Sequence, residues 1–343
     1  VYCNGFFFDN YSEIKIGLAP KLNNFFLQFF EELDMNARIF NAVVWVMLMS
    51  FRFEAFGFKL IFENSEPNGL VLDFRLKGGL MLVKGKVEEV EGFFIFDSGA
   101  PDLVLNVYHF KHLAKPSGEI GSGIIGSAGQ IYLVKVKDFD LDSFALATQK
   151  NVKAVDLSLV EKSKGLKVMG LIGVSVFENY EISIDYAHSK IFLYDLSTPK
   201  IFKHELDSLK ATDTIPLKMH QKLIYTTIKI GDKKLKMGLD TGAELNLLHI
   251  KLPKKILSHF TIQNRVLMSG AGNETIEVLA GVAAFEIWGV DYPTLPTMLS
   301  DLSSLSEAYG MELDGILGFP FLSWYRCGFN LKKGEFYVER KKN

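Results

Sequence analysis

The sequence predicts an all-β, two-lobed protein made by internal duplication, with few short helices, and three observations carry this. The run Phe93-Phe94-Ile95-Phe96-Asp97-Ser98-Gly99-Ala100 returns as Lys236-Met237-Gly238-Leu239-Asp240-Thr241-Gly242-Ala243. A second mark, Gly170-Leu171-Ile172-Gly173, returns as Gly315-Ile316-Leu317-Gly318. The acids are 143 residues apart and the second marks 145 apart, and two independent motifs at nearly one interval indicate a repeated unit. Between the motifs lie short aliphatic and aromatic runs cut by glycine turns, the pattern of strands.

The chain has 343 residues, enough for two domains with real cores. Apolar residues make up 48%, which places it among globular rather than disordered chains. A net charge of −2 argues against nucleic acid or an anionic membrane as the main partner. The two cysteines, Cys3 and Cys327, rule out a disulfide framework and have no metal-type spacing.

Residues 1–57 read as a leader. From Met35 a positive charge at Arg38 precedes a 13-residue apolar run, Ile39 to Phe51, and then the small-x-small pattern Ala55-Phe56-Gly57. That order is similar to a secretory signal peptide and is short for a bilayer span. It predicts export, to a periplasmic, secreted or envelope-associated site. The competing reading is a buried helix or strand packed on the first lobe.

Residues 58–206 form the first lobe in this reading. Val71–Leu76, Leu80–Val83 and Phe93–Phe96 are strands, with Gly78-Gly79 as a turn. Leu157–Lys164 is a short helix before the second mark, and the strands Glu181–Asp185 and Ile191–Tyr194 follow it. The link Ser197–Asp213 carries Pro199 and several charges, and the boundary falls near Asp207. Residues 207–343 repeat the plan. Leu223–Ile230 is a strand, Gly231-Asp232 a hairpin turn, and Leu235–Leu239 leads into Asp240. Ser303–Tyr309 is the matching helix, Glu335–Val338 the last strand, and Asn330 takes the position of Asp185.

Asp97 and Asp240 each end an apolar strand and open a glycine turn. One Asp-Thr-Gly alone is a common turn. Two in equivalent places supply one carboxyl per lobe. Two carboxyls within hydrogen-bond reach cannot both ionise easily and share a proton over a working pH range. The ionised one can take a proton from water while the protonated one donates to a substrate carbonyl, so amide hydrolysis needs no metal or cofactor. Gly99 and Gly242 lack a Cβ and let backbone amides approach the carboxylates. Ser98 and Thr241 are placed to hydrogen-bond across the interface. Gly173 and Gly318 permit close backbone contact beneath the two loops.

These residues resemble the aspartic peptidase superfamily of pepsins and retropepsins over roughly residues 65–343. Each half is similar to a retropepsin subunit, and the whole to single-chain bacterial retropepsin-like proteases. The resemblance implies a pepsin/retropepsin-like fold, a monomer, and an extended polypeptide substrate that favours apolar side chains. It matches Asp97 and Asp240 to the catalytic aspartates, and Ser98 and Thr241 to the interlocking hydroxyls. Ala100 and Ala243 match the retropepsin form, whose missing hydroxyl implies a dyad that titrates higher than pepsin's. Gly121, Gly123 and Gly126, and Gly270 and Gly272, fall where flaps are expected. Pro101 and Glu244 depart from the pattern. Pro101 is expected to stiffen its loop, and Glu244 to add negative charge near the cleft.

Other signals are set aside. Gly121-Ser122-Gly123-Ile124-Ile125-Gly126 matches a dinucleotide-binding glycine pattern without a helix start behind it. His109 and His112 are spaced for one helix face and read as a surface pair rather than a metal site. The lysines of 200–210 and near Lys341 read as solvated. Trp45, Trp288 and Trp324 serve the membrane-directed segment or packing. A non-catalytic fold of the same kind that binds peptides or a partner stands as the alternative. A narrow processing protease acting on one envelope protein is a third.

Overall fold

The structure is a computed structural model describing residues 61–62, 70–123, 126–142, 144–197, 213–269, 275–287, 290–324 and 326–339. The leader with its export signal, Cys3, Trp45, the linker around Asp207 with its lysines, Gly270, Gly272, Trp288 and the Lys341 tail lie outside these residues.

The first half contains β1 (Ile61–Phe62), β2 (Leu70–Lys77), β3 (Leu80–Val87), β4 (Val90–Phe96) and β5 (Leu103–Asn106). Then come α1 (Val107–Phe110), β6 (Ala114–Gly123), β7 (Gly126–Leu141), β8 (Phe144–Val155), α2 (Ser158–Lys164) and β9 (Val168–Ile172). A 3₁₀ turn at Val174–Phe177, β10 (Tyr180–Asp185) and β11 (Lys190–Asp195) close it. The second half follows the same order. It has β12 (Asp213–Pro216), β13 (Lys218–His220), β14 (Leu223–Ile230), β15 (Lys233–Leu239), β16 (Asn246–His249), α3 (Lys254–Leu257), β17 (Phe260–Ser269) and β18 (Thr275–Ile287). It ends with β19 (Val290–Ser300), α4 (Ser303–Tyr309), β20 (Gly315–Leu317), α5 (Phe319–Leu322), β21 (Arg326–Asn330) and β22 (Glu335–Glu339). The protein is therefore all-β and two-lobed, and the helices are short.

Sequence accounts for much of this locally. In β2, Leu70, Leu72 and Phe74 point inward and Val71, Asp73 and Arg75 outward, the period-2 pattern of a half-buried strand. Gly78 and Gly79 both have positive φ, 56° and 83°, as a two-residue hairpin of the primed type requires. The helices α2 and α4 stop at Gly165 and Gly310, both left-handed.

Topology places the two Asp loops alike. β4 pairs with β3 on one side and runs parallel to β9 on the other, with Phe96 opposite Ile172. β15 pairs with β14 and runs parallel to β20, with Leu239 opposite Leu317. Each acid thus leaves the end of a strand held on both edges. The lobes join through β10 and β21, antiparallel neighbours with Ile182 opposite Phe329. An apolar cluster spans the junction, with Leu80, Ile95, Val104 and Leu171 from one lobe and Leu223, Leu247, Leu305 and Ile316 from the other.

The glycine-rich stretch around Gly121 is an antiparallel hairpin of β6 and β7, with Gly121 opposite Gly129 and Gly123 opposite Gly126. It opens no helix, so it lacks the geometry of a dinucleotide loop. β6 packs against α4 of the other lobe. The two histidines correct the sequence reading. α1 ends at Phe110, so they share no helix face, and His109 is half-buried with Nε2 2.5 Å from Glu161 Oε2, while His112 is exposed. Trp324 is partly buried against the core.

Candidate active site

Asp97 and Asp240 meet where the two lobes touch, 0% and 1% exposed. Their backbones are fixed first, because the Asp97 amide donates to Ile172 O at 2.9 Å and the Asp240 amide to Leu317 O at 3.0 Å. The Gly99 and Ala100 amides donate to Asp97 Oδ1 at 2.8 and 3.0 Å, and the Gly242 amide to Asp240 Oδ1 at 2.9 Å. The other oxygen of each, Oδ2, is buried with no partner but the facing carboxyl.

The facing geometry depends on the two glycines. A Cβ on Gly99 would lie 2.7 Å from Asp240 Cγ, and one on Gly242 would lie 2.6 Å from Asp97 Cγ. Each loop therefore presents bare backbone to the carboxyl of the other lobe. Gly173 and Gly318 work one layer below. A Cβ on Gly318 would come within 2.5 Å of Ala243 O, and one on Gly173 would strike Ala100 O.

Ser98 and Thr241 interlock. The Ser98 amide donates to Thr241 Oγ1 at 2.9 Å, and the Thr241 amide to Ser98 Oγ at 2.8 Å. The Ser98 hydroxyl then donates to Leu239 O at 2.8 Å, and the Thr241 hydroxyl to Phe96 O at 2.9 Å. All four bonds cross between lobes and are buried. At about 1 kcal/mol net each they are worth less than the cost of leaving any of these groups unpaired, so they act chiefly to hold one geometry.

The carboxyls do not titrate like free ones. Burial, and after it the adjacent Asp240 carboxylate, pushes Asp97 well above the usual range. Burial also lifts Asp240, to about 6, against hydrogen bonds from Asp97 and from the Gly242, Gly99 and Ala243 amides. Burial and the facing carboxyl thus hold the pair protonated further up the pH scale than free carboxyls, and the titration belongs to the dyad as a unit.

Sequence reasoning does not find several neighbours. The Tyr309 hydroxyl, on α4 of the second lobe, donates to Gly99 O at 3.3 Å. The Tyr186 hydroxyl is buried without a hydrogen-bond partner, its ring edge-on to Phe74 and Phe319. Burial, then Cys327 and Asp240, raises its titration. Lys164, a helix-end lysine, is 1% exposed and paired with Glu244. That pairing corrects the expectation for Glu244. The carboxylate is 1% exposed and faces a lysine, so it puts no free negative charge into a cleft. Pro101 O accepts a hydrogen bond from Ser175 Oγ, tying the departure at 101 to the 3₁₀ turn. The one signal for Lys164 and Tyr309 is that both end a helix before a glycine, 145 residues apart.

Among the described residues no three His, Cys, Asp or Glu side chains are grouped to share a metal ion, and no helix is long and apolar enough to cross a membrane. No family model and no curated protein matches the chain. Among solved structures it is similar to conglutin gamma, described as a unique basic 7S globulin from lupine seeds. The identity is 11% and the TM-score 0.49, over 81% of this chain and 96% of that one.

Proposed function

We propose that the chain is an aspartic endopeptidase in which water is activated between Asp97 and Asp240. The observation that supports this best is the pair itself. Two buried carboxyls face each other across the lobe junction, each held by amides on one oxygen and open on the other, and a proton shared between them at near-neutral pH suits both halves of the chemistry. In this reading Asp240, the less strongly raised of the two, takes a proton from water as the water oxygen attacks the amide carbon. Asp97 passes its proton to the carbonyl oxygen, and a gem-diol forms. On collapse, the Asp240 proton goes to the leaving nitrogen, one diol proton returns to Asp97, and the C–N bond breaks. The β6–β7 hairpin, packed on the second lobe through α4, is the candidate flap over an extended polypeptide.

The test is cleavage of a diverse peptide mixture from pH 3 to 8 by the protein, by Asp97→Asn and by Asp240→Asn. Loss in both variants, each of which keeps the size of its side chain, is the expected result. Cleavage that persists in either one overturns the assignment. Stoichiometric peptide binding without turnover, surviving both substitutions, would move the reading to a peptide-binding module.

A further inference from the structure

The two lobes brace each other's Asp loops with unlike chemistry at equivalent positions. Lys164 ends α2 and Tyr309 ends α4, each followed by a left-handed glycine, at the 145-residue offset that also relates Gly173 to Gly318. Each reaches into the opposite lobe. Tyr309 donates to Gly99 O, two residues past Asp97. Lys164 Nζ pairs with Glu244 Oε1, four residues past Asp240. The Tyr309 contact is one neutral hydrogen bond, whereas the Lys164 contact is an ion pair with both side chains 1% exposed.

The ion pair is walled in. A Cβ on Gly78, at the β2–β3 turn, would meet Lys164 Nζ at 2.7 Å and Glu244 Oε1 at 3.4 Å. The neighbouring Gly79 sits on the Phe319 ring of α5. Glu244 Oε2 is buried with no partner, so Lys164 is the group that compensates this carboxylate. Among the described residues, Lys77 Nζ would lie 3.9 Å from a Cβ on Gly165, Glu161 is engaged with His109, Lys162 is exposed, and Asp240 lies on the same loop as Glu244. Burying such a pair is favourable only if both partners stay, because a lone buried charge is very costly.

We propose that Lys164 and Glu244 form a charge-balanced clamp, a positioning pair that seats the Asp240 loop against the first lobe and leaves no net charge beside the dyad. This rests on the reading of Asp97 and Asp240 as the reacting pair, yet it predicts effects that need no turnover. Removing the Glu244 charge frees the Asp240 loop and strands a cation near the dyad, which favours its carboxylate form.

The experiment compares the whole protein with Glu244→Gln and with Lys164→Met/Glu244→Leu. It follows backbone exchange at the Ser98 and Thr241 amides and the ¹³C carboxyl titration of Asp97 and Asp240. In Glu244→Gln the two amides exchange at least tenfold faster, and the first ionisation of the dyad moves down by at least half a pH unit. In the double variant, which strands no charge, the titration returns to the wild-type position and exchange to within threefold. A folded Glu244→Gln protein with unchanged exchange and titration overturns the clamp. Should that variant fail to fold, Glu244→Asp keeps the charge and shortens its reach. There exchange rises while the titration stays, and no rise overturns the clamp. A chain that shows these shifts and cleaves no peptide overturns the peptidase reading alone.

Discussion

At the residue scale the site depends on atoms that are missing. Gly99 and Gly242 each face the carboxyl of the opposite lobe at a distance no Cβ can share. Gly99→Ala or Gly242→Ala must push the two loops apart, and strain of this kind in a packed interior costs about 1–3 kcal/mol. The chemical consequence is larger than the stability one, because a displacement near 1 Å in a reacting pair costs about 100-fold in rate. Either variant is expected to fold, melt a few degrees lower and lose about 99% or more of any peptide-cleaving activity. A variant with wild-type turnover would show that the close approach is not needed. The alanines that follow have a different part. Ala100 donates its amide to Asp97 and adds no hydroxyl, so burial is not offset by a further donor. This agrees with Asp97 being pushed well above the usual carboxylate range, first by burial and then by Asp240.

At the scale of elements, the pseudo-symmetric turns show how duplication diverges. The β2–β3 turn is Gly78-Gly79, and its equivalent between β13 and β14 is Gln221-Lys222. All four residues have positive φ, at 56° and 83° in the first turn and 47° and 67° in the second. Glycine takes that conformation freely, whereas Gln and Lys give up about 1–2 kcal/mol each. Lys222 recovers part through its ion pair with Asp102 of the other lobe, 2.8 Å away, although a half-exposed pair is worth about 1 kcal/mol at most. Gln221→Asn, which tolerates the left-handed region better, is expected to stabilise the protein by about 0.5–1 kcal/mol and raise its melting midpoint. Gly78→Ala is expected to lower it, because the new Cβ both strains φ and meets Lys164. Opposite signs at equivalent positions are the outcome to look for; equal signs would mean the turns are not strained as described. These turns also show what is legible in the sequence. Gly78-Gly79, the strand ends before each acid and the helices 158–164 and 303–309 can be read directly, because glycine, apolar runs and a second copy give local signals. Gln221-Lys222 carries no turn signal of its own and is found only through the repeat. Lys164 is an ordinary helix-end lysine in sequence, since nothing local reveals that the other lobe will cover it. Glu244 reads as a cleft charge for the same reason. His109 reads as a surface residue because its partner, Glu161, lies 52 residues away.

At the scale of the whole molecule the lobes are no longer interchangeable halves. Across the joining strands Glu181 Oε2 accepts from Asn330 Nδ2 at 2.7 Å, while Asp185 faces Arg326 at 3.9 Å. Had both halves kept the residues of the first, Glu181 would face a second acid, so the junction favours one lobe of each kind. The buried acids of the candidate site govern how the fold responds to pH. Asp97 and Asp240 are raised by burial, Asp240 to about 6. A carboxyl raised in the fold binds its proton more tightly there than in the unfolded chain. For Asp240 that contribution is complete below the unfolded value near 4 and is lost as pH rises through about 6. Other carboxyls have the opposite sign. Asp301 is held down to about 2, first by the Ser303 hydroxyl and then by Lys251. Asp185 is also lowered, with burial opposing and His188 and Arg326 prevailing. Their contribution is present above pH 4 and fades as pH falls toward 2. The two sets leave a stability maximum at about pH 4–5. The decline on the neutral side is a few kcal/mol, because each pH unit separating a group's folded and unfolded titrations is worth about 1.4 kcal/mol. The check is the melting midpoint from pH 2.5 to 8. Asp240→Asn is expected to match the wild type near pH 4 and to exceed it at pH 7.5, since an amide has no charge to leave in a dry site. A midpoint that stays level or rises between pH 5 and 8, or an Asp240→Asn protein less stable than the wild type at pH 7.5, would mean that the paired acids are not held protonated by the fold.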